Sequence, residues 1–167
     1  MGQSSKNLDK LMELFYENPE KNFTVRELAV RTKIPKSTVH NHLLQLNKEG
    51  LLEENKAAGS NIFKVKKTFF YITKIFESGL VDFITEKLQP SCIILFGSFR
   101  KGESDQDSDI DLFIESTKEE LDLTGFEKKL KHKIQIFVEK DINDLPDRLF
   151  NNVINGIKLG GYFKIRK

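Results

Sequence analysis

Gly97-Ser98, ten further residues, then Asp109-Ile110-Asp111 is the spacing in this chain that can do chemistry. One hydrophobic run, Cys92 to Phe96, leads into the Gly-Ser pair; a second, Ile110 to Ile114, carries the acidic pair. Strand alternation puts Asp109 and Asp111 on one face. Two carboxylates that close share divalent cations, and a Gly-Ser turn beside them takes phosphate oxygens on its backbone N–H groups. Together these are the parts of a metal-dependent site for a nucleoside triphosphate. Asp-x-Asp alone would be an ordinary solvated strand end, and an Asp/Ser/Gly-rich loop an ordinary turn. The fixed spacing between turn and carboxylates is what points to a site.

On those residues, the segment resembles the signature of the DNA polymerase beta superfamily of nucleotidyltransferases. More closely it resembles the minimal nucleotidyltransferase domains, whose pattern is Gly-Ser, ten residues, Asp-x-Asp. Arg100-Lys101-Gly102-Glu103 and Asp107-Ser108 also resemble that family. The resemblance implies that Gly97 and Ser98 hold the triphosphate and that Lys101 adds positive charge near it. It implies that Asp109 and Asp111 are the catalytic carboxylates and bind two Mg2+ ions, with ATP or another NTP as substrate or ligand. One ion then orients the triphosphate and its leaving pyrophosphate, the other an attacking hydroxyl. The family pattern has a third carboxylate on the next strand. In Lys133-Ile134-Gln135-Ile136-Phe137-Val138 that position falls on Gln135. An amide brings an oxygen donor but no charge, and it is not a general base near neutral pH. Glu139 shares the face of Gln135 but lies about 13 Å further along a straight strand.

Residues 1–67 hold twelve Lys/Arg against eight Asp/Glu, and the remainder fifteen against seventeen. A basic front half and a slightly acidic rear half suggest two tasks. In front, Leu8, Leu11, Met12 and Phe15 make one apolar helix face, which Asn18-Pro19 stops. Thr24 with Glu27 forms a capping-box pattern opening a second helix. A third begins near Pro35 and stops at Gly50. Leu51–Glu54 and Ile62–Val65 read as a hairpin around a flexible tip, Lys56 to Asn61. Three helices and a hairpin resemble a winged helix-turn-helix domain, and Ile34-Pro35-Lys36-Ser37-Thr38-Val39-His40-Asn41-His42-Leu43 resembles the recognition helix of bacterial and archaeal regulators. Lys36, Ser37, Thr38, His40, Asn41 and Gln45 then form the face for double-stranded DNA, with Asn41 and Gln45 suited to adenine edges. Lys56, Ser60 and Asn61 would extend that contact from the wing. A protein-docking winged helix is the competing reading, because the helix carries few cations. His40 and His42, two apart, do not face each other as a metal pair. His132 is expected at the surface.

Lys66 to Leu88 reads as one long connecting helix with apolar residues on more than one face and Gly79 as the point for a kink, suited to packing on both domains or on a second subunit. The expected architecture is α+β: a winged helix-turn-helix domain over 1–67, a connecting helix over 68–88, and a small α/β nucleotidyltransferase domain with a mixed sheet over 89–167. No run reaches the roughly 18 apolar residues of a membrane helix. The polar start lacks the apolar core of a secretory signal. Cys92 is the one cysteine, so the chain forms no internal disulfide. A cytoplasmic homodimer without membrane contact is expected. Two functions follow from the resemblance. One is a DNA-binding regulator that binds Mg-NTP and transfers an NMP to a partner protein, antitoxin-like, the partner being of the HEPN type. The other is a transcription regulator whose lapsed domain senses nucleotide or supports dimerisation. Gln135 favours the second and the intact turn and carboxylates the first, so enzymatic activity stays open.

Overall fold

The structure is a computed structural model that describes residues 3–117 and 120–166. It divides into two compact units, residues 1–67 and 68–167.

The first unit contains α1 (Gln3–Glu17), α2 (Val25–Thr32), α3 (Lys36–Lys48) and a two-stranded antiparallel hairpin, β1 (Leu52–Glu53) and β2 (Lys56–Ala57). Its core is built from Leu11, Phe15, Phe23, Leu28, Val39, Leu43 and Leu46, all buried. The capping box opens α2: the Glu27 N–H donates to Thr24 Oγ1 (3.1 Å) and the Thr24 N–H to Glu27 Oε2 (3.1 Å). Asn47 Nδ2 donates to the carbonyls of Leu43 and Glu54, both at 2.8 Å, and so fastens the hairpin to the end of α3.

The wing is shorter than the sequence suggests. The hairpin turns at Glu54-Asn55, where Glu54 takes a positive φ of 57°. Ser60 is a helix cap: its Oγ accepts from the Phe63 N–H (3.3 Å), and Ile62–Val65 lie inside α4 (Asn61–Ser78). A short apolar run fits strand and helix alike, and the cap decides it. The expected single connecting helix is also two. α4 stops at Ser78, Gly79 adopts φ 82°, and α5 (Leu80–Leu88) begins. A left-handed residue cannot continue a right-handed helix, and glycine takes that conformation at little cost.

The second unit holds a four-stranded mixed sheet in the order β5-β4-β3-β6. β3 (Cys92–Phe96) pairs antiparallel with β4 (Ile110–Glu115) and with β6 (Ile157–Gly161); β4 pairs parallel with β5 (Ile134–Glu139). The helix α6 (Gly97–Lys101) follows β3 directly, α7 (Thr124–Leu130) lies between β4 and β5, and α8 (Asp147–Ile154) precedes β6. On one face Cys92, Ile94, Phe96 and Phe113 pack with Ile142, Leu145 and Val153, joined by Phe137, Leu149 and Phe150. Alternate residues Ile93, Leu95, Leu112 and Ile114 are buried on the opposite face, so β3 and β4 read as near-continuous apolar runs.

Candidate nucleotide site and nucleic-acid face

Register places the acidic residues. Phe96, Asp111 and Gln135 are Cα partners across β3, β4 and β5, one row at the end of the sheet. The next row on that face is Ile94, Phe113 and Phe137, which belongs to the core. Asp111 therefore stands where the apolar layer ends, half-buried, while Asp109 is exposed one alternation earlier. Gln135 is exposed beside Asp111 on the edge strand. Phe96 and Phe137, with rings 5.4 Å apart, floor the row.

The Gly-Ser turn meets the same carboxylate. Gly97 has φ 70°, and a Cβ placed on it would lie 3.0 Å from Asp111 Cγ and closer still to its Oδ2. Glycine is thus required twice, by its backbone conformation and by the approach of Asp111. Lys101 is exposed four residues on, on the same side of α6 as Gly97. Burial, and then the negative charge of Asp109, push the Asp111 carboxyl above the ordinary carboxylate range. That conflict is one a cation relieves. Among the described residues no three His, Cys, Asp or Glu side chains form a metal cluster. The donors present are two carboxylates and the Gln135 amide oxygen. All are hard oxygen ligands, and they suit magnesium better than a soft metal.

Three aromatic residues hold this turn from behind. Phe99 of α6 is fully buried, 4.8 Å from the Tyr71 ring and 4.9 Å from that of His132. The expectation of a surface His132 is corrected: it is 4% exposed, and its Nδ1 lies 2.9 Å from the Ser108 carbonyl oxygen. It so ties the start of β5 to the loop that delivers Asp109. Thr68 Oγ1 donates to the carbonyls of Phe99 (3.2 Å) and Arg100 (3.3 Å) at the end of α6. The loop is closed on itself. Ser108 Oγ donates to Asp105 Oδ1 (2.8 Å) and accepts from the Asp105 N–H (2.9 Å), which gives Asp105 a structural task. Tyr71 and His132 carry no local motif, and only their burial identifies them. Phe99→Ala is expected to cost about 4 kcal/mol, read as a lowered denaturant midpoint in urea unfolding.

In the first unit the exposed face of α3 carries Lys36, Ser37, His40, Asn41 and Gln45, with Thr38 half-buried; His42 is buried on the inner face. The Gln45 amide donates to Glu49 Oε1 (2.8 Å). Leu44, 59% exposed, stands in the middle of this face and was not among the residues expected there. The wing residues differ from expectation. Lys56 pairs with Glu20 (2.7 Å), Ser60 caps α4 and donates to the Gly50 carbonyl (2.8 Å), and Asn61 is helical.

No curated protein and no solved structure matches the chain. No helix among the described residues is long and apolar enough to cross a membrane. The family model for an IclR helix-turn-helix domain matches residues 10–56, from within α1 through α2, α3 and β1 to the start of β2. The model for the nucleotidyltransferase domain matches residues 77–165, more than half of the chain and the whole of the row just described. The chain therefore belongs to the nucleotidyltransferase domain family, with a DNA-binding type of helix-turn-helix in front of it.

Proposed function

We propose that this chain is a DNA-binding regulator whose nucleotidyltransferase domain holds a nucleoside triphosphate with magnesium, and that it binds DNA as a homodimer. The observation that carries the nucleotide reading is the packing of Gly97 on Asp111. It brings the Gly-Ser turn and the Asp111 carboxylate to one point, which is what a shared site for phosphate and cation needs. Asp109 and Asp111 would hold the cation, Gly97 and Ser98 the phosphate oxygens through their N–H groups, and Lys101 would add charge at their side. The cation, when bound, supplies charge neutralisation for the triphosphate and a polarised phosphorus.

Gln135 bears on whether a nucleotidyl group moves. A hydroxyl acceptor needs a base, and the residue in register with Asp111 cannot serve as one. The reading favoured is a site that binds nucleotide and reports it; NMP transfer to a hydroxyl on a HEPN-type partner is the second reading, supported by the intact turn and carboxylates. A calorimetric titration with ATP separates binding from its absence. Saturable heat only in the presence of magnesium supports the proposal, and no heat at millimolar ATP overturns it.

The DNA reading has its own test. Sites selected from a random duplex pool would be titrated by fluorescence anisotropy. Asn41→Ala should cost about 1–3 kcal/mol and relax preference at a single base pair. Lys36→Ala should weaken all sequences alike and reduce the salt slope by about one. A uniform, sequence-blind loss from Asn41→Ala would exclude base readout by this helix.

A further inference from the structure

The second unit carries a cluster of cations that the nucleotide reading does not use. A groove of about 300 Å3 runs between α7 and the start of β5, lined by Thr124, Glu127, Lys128, Lys131, His132 and Lys133. That volume is at the lower end for a small-ligand cleft. Positions 124, 127, 128 and 131 are three and four apart, so they share one side of the helix. Lys131 ends α7 with φ 62°, His132 is the buried wall at 4% exposed, and Lys133 leads into the strand.

Three ammonium groups meet one carboxylate along this groove, and that carboxylate is committed. Glu127 Oε1 accepts from the Ile134 N–H (3.1 Å) and its Oε2 from Lys133 Nζ (3.1 Å). Asp122, just before the helix, accepts from the Thr124 N–H (3.0 Å). The helix dipole accounts for lysines in the last turn of α7, Lys128 and Lys129. It does not require that Lys128, Lys131 and Lys133 line one cleft, and Lys129 is turned instead to the Ser78 carbonyl (3.1 Å). The groove also abuts the acidic pair. The Lys133 carbonyl accepts from the Ile110 N–H (2.8 Å), and His132 Nδ1 lies 2.9 Å from the Ser108 carbonyl oxygen, so the strand side of the groove is bonded on both flanks of Asp109.

We propose that this groove binds the phosphate monoester group of a second ligand, beside the nucleotide held at Asp109 and Asp111. Lys128 and Lys131 supply the charge, and Lys133, shared with Glu127, closes the rim toward Asp109. Lysine holds phosphate as a point charge. A phosphate monoester brings nearly two negative charges and three acceptor oxygens to three ammonium groups. A carboxylate brings one charge, and Glu127 already fills that role. That the ligand sits beside a nucleotide rests on the reading above; the affinity of the groove for phosphate does not.

Amide chemical shifts of the 15N-labelled full chain test it, in EDTA and without nucleotide, during titration with inorganic phosphate at constant ionic strength. Thr124, Lys128, Lys131 and Lys133 should shift saturably. Lys128→Gln/Lys131→Gln should weaken binding at least tenfold with an unchanged melting temperature, since both side chains are exposed. Lys128→Arg/Lys131→Arg, which keeps the charge, should retain it. Glucose 6-phosphate and a 5′-phosphorylated trinucleotide separate the sources: the tighter binder shows whether a small metabolite or a polynucleotide end carries the phosphate, and equal binding means that the phosphate alone is recognised. No saturable shift at these residues, the same shift with chloride, or a glutamine variant that binds as wild type overturns the proposal. So does an unphosphorylated trinucleotide that shifts the same residues as strongly. Failure of the nucleotide reading looks different: magnesium and ATP then give no heat, while phosphate still shifts the groove.

Discussion

Asp109→Asn/Asp111→Asn will abolish magnesium-dependent ATP binding, by a factor of at least 100 in calorimetric titration, and will make the metal-free protein more stable at neutral pH. Both effects have one cause. Asp111 is half-buried at the end of the apolar row and shares its surroundings with Asp109, so its carboxyl is pushed above the ordinary range by burial and then by the neighbouring charge. The folded chain holds that proton to a higher pH than the unfolded chain does. By linkage, stability falls as pH rises from the ordinary carboxylate range through the raised value, and it stays lower above it. Removing the charges should raise the stability of the metal-free protein at pH 7. That gain should vanish in acid, where both states of the wild type carry the proton. Magnesium should stabilise the wild type at pH 7 and leave the double variant unmoved, because it binds the folded state alone. Thermal melts with EDTA and with magnesium, at two pH values, separate these four conditions. A double variant less stable than wild type in EDTA at pH 7 would show that the carboxylates serve the fold and not a cation.

The parts legible in the sequence were those whose signal is local. Cys92–Phe96, Ile110–Glu115 and Ile134–Glu139 are strands with apolar cores, and their order forced the carboxylates to one end. Thr24 and Glu27 announced α2 by a reciprocal pair of hydrogen bonds within four residues. What was lost depended on partners distant in sequence. His132 looked solitary because its neighbours, Tyr71 and Phe99, lie 61 and 33 positions away. The wing was misjudged because its turn uses Glu54 in a left-handed conformation, where glycine would have been the cue. The glycine and serine that did look like a tip, Gly59 and Ser60, precede and cap α4 instead. Leu44 faces outward, and no local signal separates it from the inward-facing Leu43 and Leu46.

Gln135→Asp should raise magnesium affinity about tenfold or more and, with water taking up the AMP group, increase pyrophosphate release from ATP by roughly 10²-fold. The register of β4 with β5 puts position 135 beside Asp111, so a carboxylate there faces the same cation. The substitution is cheap for the fold. Gln135 is exposed on an edge strand, and such changes stay within about 0.5 kcal/mol. The added charge should instead show in the metal-free state, where it pushes the Asp111 carboxyl further up, and a melt in EDTA should drop while a melt in magnesium should rise. Gln135→Asn keeps an amide at that position and should change neither. Three outcomes have three meanings. Higher affinity with faster pyrophosphate release would mean that the natural site lacks only a base, and that binding without transfer is a property of one residue. Higher affinity alone would mean that an acceptor is still missing, which returns attention to the partner protein. No change in either would remove Gln135 from the site, and with it the argument that the wild-type domain holds a nucleotide without turning it over.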